Sequence, residues 1–481
     1  MRIKDYNLYW GELHTHTFCG NSSFGTIEDA AEIARTHLDF WAPGEHYNLP
    51  LREIRHSMFD WERISRVVAE SNDPGRFVTF PGFEFAREEG DYNLYLCRPI
   101  STLPEIKDYP DLFAFARREG AIVIPHHLGY KVGCRGMRWD WFDPSIMPLV
   151  EMFSMHGSSE DDRGDFPMDL PWMGPRETGG TVLKGLMQGH IFGLIASSDG
   201  HNAYPGSYKM GLVAAYAEEL TRESLWNALR ARRTYAVTGD RILMDFRING
   251  HLMGEICPFS QERSISVWVE GLDALDKIEI IKNGHILLRE HASLDRNYPL
   301  EGESKFKIRL EWGWGPGEPF EWRGSLNLKG GEILSAFPCF GAPGPNEILS
   351  MSRNVLNWAS VTVGNSIFDW KTGRYGREGT NSIVLTIQGD GRTLLVLKLN
   401  DRTFSCSLAE LMNGSRVELM EGPFDQKVKF HEPIAESQYC KSLEIADTYS
   451  GSRQRDFYYL RLTQANGQMA WSSPIWVESP I

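Results

Sequence analysis

Residues 6–17 read YNLYWGELHTHT, an apolar run that ends in two histidines two positions apart. In extended backbone alternate side chains share a face, so His14 and His16 project to one side, as chelation of a single ion requires. An HxH pair alone reads equally well as surface or core. Its placement at the end of a strand-like run sets the question for the rest of the chain.

Five further runs repeat the arrangement. DFWAPGEHYN (39–48) carries Glu45 and His46, and FVTFPGFEFA (77–86) carries Glu84 at the end of an apolar stretch. AIVIPHHLGY (121–130) brings His126 and His127, and PLVEMFSMHGSSE (148–160) brings Glu151, His156 and Glu160. LIASSDGHNAYPG (194–206) brings Asp199 and His201, a second pair two apart. Ten of the fourteen histidines lie at or before position 201. A carboxylate ending a buried strand is costly unless a cation or donor meets it. Taken singly, each group reads as a helix cap or an ion-pair partner. Six in succession point to one shared face, since catalytic groups of α/β proteins gather at the carboxyl ends of strands.

Strands are expected at 6–13, 39–42, 77–83, 121–125, 149–153, 192–197 and 211–216, with helices between them at 26–38, 58–69, 111–119, 181–188 and 222–232. In the first helix Ile27, Ala30, Ala31, Ala34 and Leu38 follow helical spacing, and Thr26 stands where a cap belongs, with Glu28 and Asp29 in the first turn. This alternation predicts an α/β unit over 1–242 with a parallel sheet, open or closed into a barrel. Beyond about residue 243 the texture changes. SISVWVEGL, KIEIIKNGHILL, SIVLTIQGDGRTLLVLKL and DFYYLRLTQANGQMAWSSPIWV alternate apolar and polar residues around Asn-Gly or Gly-Asp-Gly, which predicts hairpins and a β-sandwich-like accessory domain over 243–481.

At 481 residues two or more domains are expected. A net charge of −14 argues against a general nucleic-acid binder and leaves a small anionic substrate open, because a metal cluster outweighs the field of the surface locally. Seven scattered cysteines without a CxxC pair read as free thiols in a reducing compartment. With no signal-peptide pattern and no run of about 20 apolar residues, a cytoplasmic protein without a membrane span is expected.

The order HTH, EH, PGFE, PHH, SMHGSSE, SDGH resembles the PHP (polymerase and histidinol phosphatase) family of metal-dependent phosphoesterases over roughly residues 8–240. The opening WGELHTHT, the stretch LWNALRARRTYAVTGDRI (225–242) and the ending FYYLRLTQANGQMAWSSPIWV (457–477) further resemble a subgroup of larger PHP proteins. The resemblance implies a distorted (β/α)7, TIM-like barrel with two to three divalent ions, zinc, manganese or iron. It implies that His14, His16, Glu84 and Asp199 hold one ion, that Glu84 bridges to a second held by His126 and His156, and that His46 and His201 belong to a third. The family's usual Asp or His six residues after HxH is replaced here by Ser22, beside Asn21, which leaves the third site short of a ligand unless Glu45, Cys19 or substrate completes it. His127 reads as a supporting residue.

Two ions bridged by a carboxylate acidify a shared water and neutralise phosphoryl charge, so the resemblance implies hydrolysis of a small organic phosphate mono- or diester. His201, before His46 or Asp199, is the expected donor of a proton to the leaving oxygen. Lys131, Arg135, Arg138 and Trp139 (near Trp141), together with Arg163 (near Trp172) and Tyr204 (near Lys209), are the expected substrate contacts. Tyr235 and Arg241 read as ties between the last strand and the barrel. The β-rich half holds His251, His285, His291 and His431 dispersed and no catalytic pattern, and reads as a structural cover, a homo-oligomer contact or a carbohydrate-binding module. Two alternatives stand beside the phosphoesterase: an amidohydrolase-like enzyme acting on a non-phosphate bond, and a non-catalytic, metal-stabilised binding protein. A proofreading nuclease fits the acidic balance poorly.

Overall fold

The computed structural model describes residues 2–3, 6–20, 25–47, 59–162, 174–292, 302–315, 319–341, 344, 346–363, 368–369, 374–375, 379–420, 426–449, 451 and 455–480. Ser22, Asn21, Arg163 and Trp172 lie outside them. Among the described residues no helix is long and apolar enough to cross a membrane.

The first half follows the expected order of elements: β1 (Tyr6–Glu12), α1 (Ile27–His37), β2 (Phe40–Trp41), α2 (Trp61–Ser71), β3 (Val78–Thr79), β4 (Gly82–Arg87), β5 (Gly90–Tyr95), α3 (Tyr109–Glu119), β6 (Ile122–His126), β7 (Leu149–Ser154), β8 (Gly157–Ser158), α4 (Val182–Met187), β9 (Gly193–Ala196), β10 (Leu212–Ala217), α5 (Arg222–Arg230) and β11 (Thr234–Val237). Thr26 caps α1 in a reciprocal box, its hydroxyl accepting from the Asp29 amide while Asp29 accepts from the Thr26 amide. Ile27, Ala30, Ala31 and Ala34 form its buried stripe.

The pairing departs from an all-parallel sheet. β1, β2 and β3 are parallel, but β10 joins β1 antiparallel and β11 joins β10 antiparallel. β4, β5 and β6 form a separate antiparallel ladder, and β9 and β7 a short parallel one with β8 folded back on β7. A closed (β/α)7 barrel is not among these ladders; the chain is a strand-rich mixed α/β protein. Two local causes are visible. Pro81, which has no amide to donate, splits the expected 77–83 strand into β3 and β4. Gly90, at φ +130°, then turns the chain into β5, so a hairpin replaces a crossover. β5 alternates Asp91, Asn93 and Tyr95 with Tyr92 and Leu94, a pattern the sequence reading passed over, and all six of its residues are buried.

The second half supplies β12 (Leu243–Ile248), β13 (Glu262–Glu270), β14 (Leu275–Lys282), β15 (His285–Glu290), β16 (Ser304–Gly313), β17 (Phe320–Cys339), β18 (Val355–Thr362), β19 (Thr380–Leu399), β20 (Cys440–Thr448), β21 (Arg455–Gln464), β22 (Met469–Ser472) and β23 (Ile475–Glu478). The Asn283–Gly284 turn between β14 and β15 has φ of 53° and 81°, the left-handed pair a two-residue hairpin needs. The Gly-Asp-Gly of residues 389–391 is different. It is a bulge inside the long strand β19, where the Asp390 carboxylate accepts from the Arg392 amide and Thr393 donates across to the Gly330 carbonyl.

These strands divide among three places, the first being a four-stranded antiparallel sheet that holds β12, β13 and β20. β16–β19 lie in a nine-stranded antiparallel sheet around their own core, which includes Phe306, Trp312, Trp322 and Trp358. β14, β15 and β21–β23 instead extend the twelve-stranded sheet of the first half, where β22 pairs with β11 through Tyr235↔Ser472 and Val237↔Ala470. One apolar core therefore holds Trp10, Phe83 and Val150 together with Ile278, Leu460 and Trp471.

Candidate metal centre

The ends of β1, β6 and β9, the loop after β2, the middle of β4 and the β7–β8 turn meet at one buried point. Two backbone bridges fix the convergence: Thr15 lies beside Gly200 and His46 beside Glu84. Gly44 makes the approach possible, since a Cβ there would meet the His14 ring at 2.7 Å.

Two carboxylates stand at the centre. One Glu84 oxygen, Oε2, lies 3.6 Å from His14 Nε2, 3.2 Å from His16 Nε2 and 3.0 Å from His46 Nε2. Its other oxygen lies 3.2 Å from His126 Nε2. Asp199 Oδ1 lies 3.4 Å from His14 Nε2, 3.0 Å from His16 Nε2 and 3.6 Å from His201 Nε2. Asp199 Oδ2 lies 3.2 Å from His127 and 3.0 Å from His156. Glu84 is 1% and Asp199 3% exposed, and the seven imidazoles are buried except His201, whose side chain is 26% exposed.

Three sets of side chains have the proximity to hold a cation: His14, His16, Glu84 and Asp199; His127, His156 and Asp199; and Asp91, His126 and His127. Among the described residues, nothing makes a well-aligned hydrogen bond to His14 Nε2, Glu84 Oε2 or Asp199 Oδ2, all sealed from solvent. Leaving such groups unmet costs about 1–3 kcal/mol each, and a divalent ion meets all three at once. The residues fit the metal.

A second layer orients the ligands. Glu151 Oε2 lies 2.9 Å from His14 Nδ1, the Tyr130 hydroxyl oxygen 2.9 Å from His156 Nδ1, and Asn93 Nδ2 3.3 Å from His126 Nδ1. Arg135 reaches in from its loop, with Nε 2.5 Å from Asp91 Oδ2 and Nη2 3.6 Å from Glu84 Oε1. His127 and Asp199 both sit in left-handed backbone, φ 56° and 51°, where non-glycine residues are strained.

The electrostatics divide the groups. Burial alone would raise Glu84, but His46 and His126 outweigh it and hold the carboxyl well below the usual range. Burial is likewise outweighed at Asp199, by His14 and His156. Burial pushes Glu151 up to about 7 against the pull of His14, and Asp91 up to about 7 against Arg135. Burial, with His46 beside it, takes His16 down to about 4, and burial with His14 takes His126 to about 4. Burial would lower His14 and His46 as well, but Asp199 and Glu84 respectively outweigh it and raise them; ligation uses ionised carboxylates and neutral rings, so metal uptake would release protons here. Burial and His16 also hold His201 well below its ordinary value, so its ring is neutral near pH 7 and a weak base.

The structure brings His14, His16, His46, Glu84, His126, His156, Asp199 and His201 together, with two changes in arrangement. His156 faces Asp199 rather than Glu84, and His127 points inward beside it instead of standing behind. Asp91 and Asn93, absent from the sequence reading, reach the site on β5; the period-two alternation of residues 90–95 was the signal that could have found them. Of the expected substrate contacts that are described, Arg135 reaches the cluster. Trp139 stacks in the core on Phe192 at 5.2 Å and donates to the Gly180 carbonyl. Tyr204 is buried with its hydroxyl on Asn346 Nδ2 at 3.1 Å. Arg138 pairs with Glu89 at 2.8 Å over Trp141, and Lys131 is exposed. Glu45 is held by the Thr17 amide at 2.9 Å, and burial pushes the Cys19 thiol up to about 11. Glu160 lies outside the cluster, against the C-terminal strands.

A family model described as a protein of unknown function (DUF3604) matches residues 206–252. Uncharacterized proteins of Chlamydia pneumoniae and Chlamydia trachomatis are 29% identical over 310 residues and 28% over 314, covering 58% and 59% of this chain. The chain spans about half the length of these relatives, 48% and 49%. Among solved structures, a two-domain protein of Bacteroides vulgatus containing a predicted PHP-like metal-dependent phosphoesterase is 15% identical, covering 58% of this chain and 81% of that one, with a TM-score of 0.34. A lesion-specific endonuclease of Pyrococcus furiosus is 11% identical, covering 47% and 56%, with a TM-score of 0.30. At these scores neither likeness assigns a fold or an activity.

Proposed function

We propose that the chain is a metal-dependent hydrolase of the PHP type, a phosphoesterase acting on a small, anionic organic phosphate, mono- or diester. The observation that carries this reading is the buried pair Glu84 and Asp199, whose oxygens face seven imidazoles and include atoms without a well-aligned hydrogen bond among the described residues.

His14, His16, Glu84 and Asp199 would hold one ion, and His127 and His156 with Asp199 a second; His126 on Glu84, and His46 with His201, would complete the cluster. When bound, such ions acidify water and neutralise charge on a phosphoryl group. The remaining work belongs to side chains. Glu151 and Tyr130 hold the His14 and His156 rings in place, so their free nitrogens stay aimed inward. Arg135, fixed by Asp91, presents its guanidinium to an anionic substrate oxygen, a match of charge and planarity. His201, the one partly exposed ring of the seven, faces the open side of the cluster. A small-molecule partner rather than a nucleic acid suits the net charge of −14. The scattered, unbridged cysteines support a reducing, cytoplasmic setting, and the imidazole and carboxylate donors suit zinc, manganese or iron.

Elemental analysis of freshly purified protein should find two or three ions per chain. Chelation should abolish turnover of p-nitrophenyl phosphate or its bis ester, and one returned metal should restore it. A protein with no metal after metal-replete expression, or one that cleaves only amide and carboxyl ester panels, would overturn the phosphoesterase reading.

A further inference from the structure

His156 sits at the turn of the β7–β8 hairpin, and Glu160 lies two residues past β8. Around it the chain is held locally: the Ser159 amide donates to the Met152 carbonyl at 2.8 Å, and the Glu160 carbonyl accepts from the Leu183 amide at 3.0 Å. The Glu160 side chain leaves this neighbourhood. It is 1% exposed, and its partners come from the far end of the chain. Tyr459 donates its hydroxyl to Oε1 at 2.7 Å, Arg461 Nη1 donates to the same oxygen at 2.8 Å, and Trp471 Nε1 donates to Oε2 at 2.9 Å. Arg461 is itself fixed by Glu279 on β14, Nε to Oε2 at 2.7 Å. On the near side of the turn, Phe153 stacks on Trp471 with ring centroids 6.2 Å apart. Both arms of the hairpin that carries His156 are thus pinned to β21 and β22.

We propose that Glu160 is a positioning residue: through it the C-terminal strands hold the β7–β8 turn so that His156 Nε2 stays on Asp199. This assigns the C-terminal strands a part in the centre built by the first half, and it rests on the reading of that centre as a metal site. A buried, charge-assisted carboxylate is a stiff anchor, because releasing it strands the buried Tyr459 and Trp471 donors and takes from Arg461 one of its two carboxylates. Glu160→Gln keeps the volume and removes the charge, while Arg461 retains Glu279.

The test compares the full-length chain, Glu160→Gln, Tyr459→Phe and, as a control for general loss of stability, Asp240→Asn, whose carboxylate ties the halves together elsewhere. Two quantities are read: amide hydrogen exchange of residues 154–159, and binding of Co2+ alone to metal-stripped protein, followed by its absorption spectrum. Glu160→Gln is expected to speed exchange of 154–159 selectively and to weaken Co2+ binding about tenfold, the usual effect of losing an outer-layer partner. Tyr459→Phe, which keeps the ion pair, stays near the parent in both. Exchange and affinity unchanged in Glu160→Gln, or changed no more than in Asp240→Asn, would overturn the proposal. If the parent takes up no Co2+, the metal reading fails, and the exchange arm still decides whether Glu160 holds the turn.

Discussion

At the scale of single residues, the site separates groups that look alike in the sequence. Arg135 and Arg138 are three positions apart, yet Arg135 lies 3.6 Å from Glu84 while Arg138 is spent on Glu89 at 2.8 Å. If Arg135 grips the substrate, Arg135→Ala should raise KM for p-nitrophenyl phosphate by roughly tenfold or more, the loss expected for a charge-assisted contact of about 1.5–3 kcal/mol. Arg138→Ala should leave KM near the parent value. Arg135→Lys should recover only part of the loss, since a point charge cannot copy the fork that Asp91 orients. Steady-state kinetics on the three variants decide it, and equal effects at both positions would remove Arg135 from the substrate. Histidines were the most legible residues here, because a cluster of ligating types along strand ends has few other uses. Trp139 and Tyr204 were misread because an aromatic in a Gly-rich loop looks the same whether it folds outward to a ligand or inward to the core.

At the scale of elements, agreement was closest where one local rule sufficed. Thr26 was placed as a cap by its position before an apolar stripe, and the capping box is there. Thr26→Ala should cost about 1 kcal/mol and Thr26→Ser little, read as the shift in urea midpoint at constant slope. An equal loss in both variants would show that the methyl, not the hydroxyl, matters. The Asn283–Gly284 hairpin was legible in the same way. The segment at 389–391 was not: Gly-Asp-Gly serves a turn or a bulge equally, and the choice fell to β17, whose own register shift between Lys329 and Gly331 follows the bend. The alternation in β5 was there to read, but its polar face meets the buried cluster of histidines and carboxylates instead of water, a destination the local pattern does not name.

At the scale of the whole molecule, the two halves are tied by buried charge as well as by the shared sheet. Asp240, fully buried, accepts from Tyr208 at 2.8 Å, from Gln464 and Asn466 at 2.7 Å each, and from Arg309 at 3.2 Å to both oxygens. Asp240→Ala strands Arg309 in the interior and should destabilise the chain by about 3–5 kcal/mol. Burial would raise the Asp240 pKa, but Arg309 outweighs it and the carboxyl is held below its ordinary value. A depressed carboxylate contributes stability that is present above its unfolded pKa and lost as pH falls through the folded one. Acid unfolding should therefore be less steep in Asp240→Asn than in the parent, measured by denaturant titration from pH 7 downward. Parallel curves would show that Asp240 does not carry the acid sensitivity.

The amino-acid sequence by itself determined which histidines and carboxylates to look for at one point, most of the order of strands and helices in the first half, and the change of texture near residue 243, because each follows from side-chain chemistry or from spacing along a few neighbours. Only the tertiary structure decided that the strands of 455–480 complete the sheet begun at Tyr6, that His156 answers to Asp199, and that Glu160 reaches across some three hundred residues to Arg461. Those are pairings between distant segments, chosen by which edges and buried charges find partners once the core closes, and no local pattern in either segment names the other.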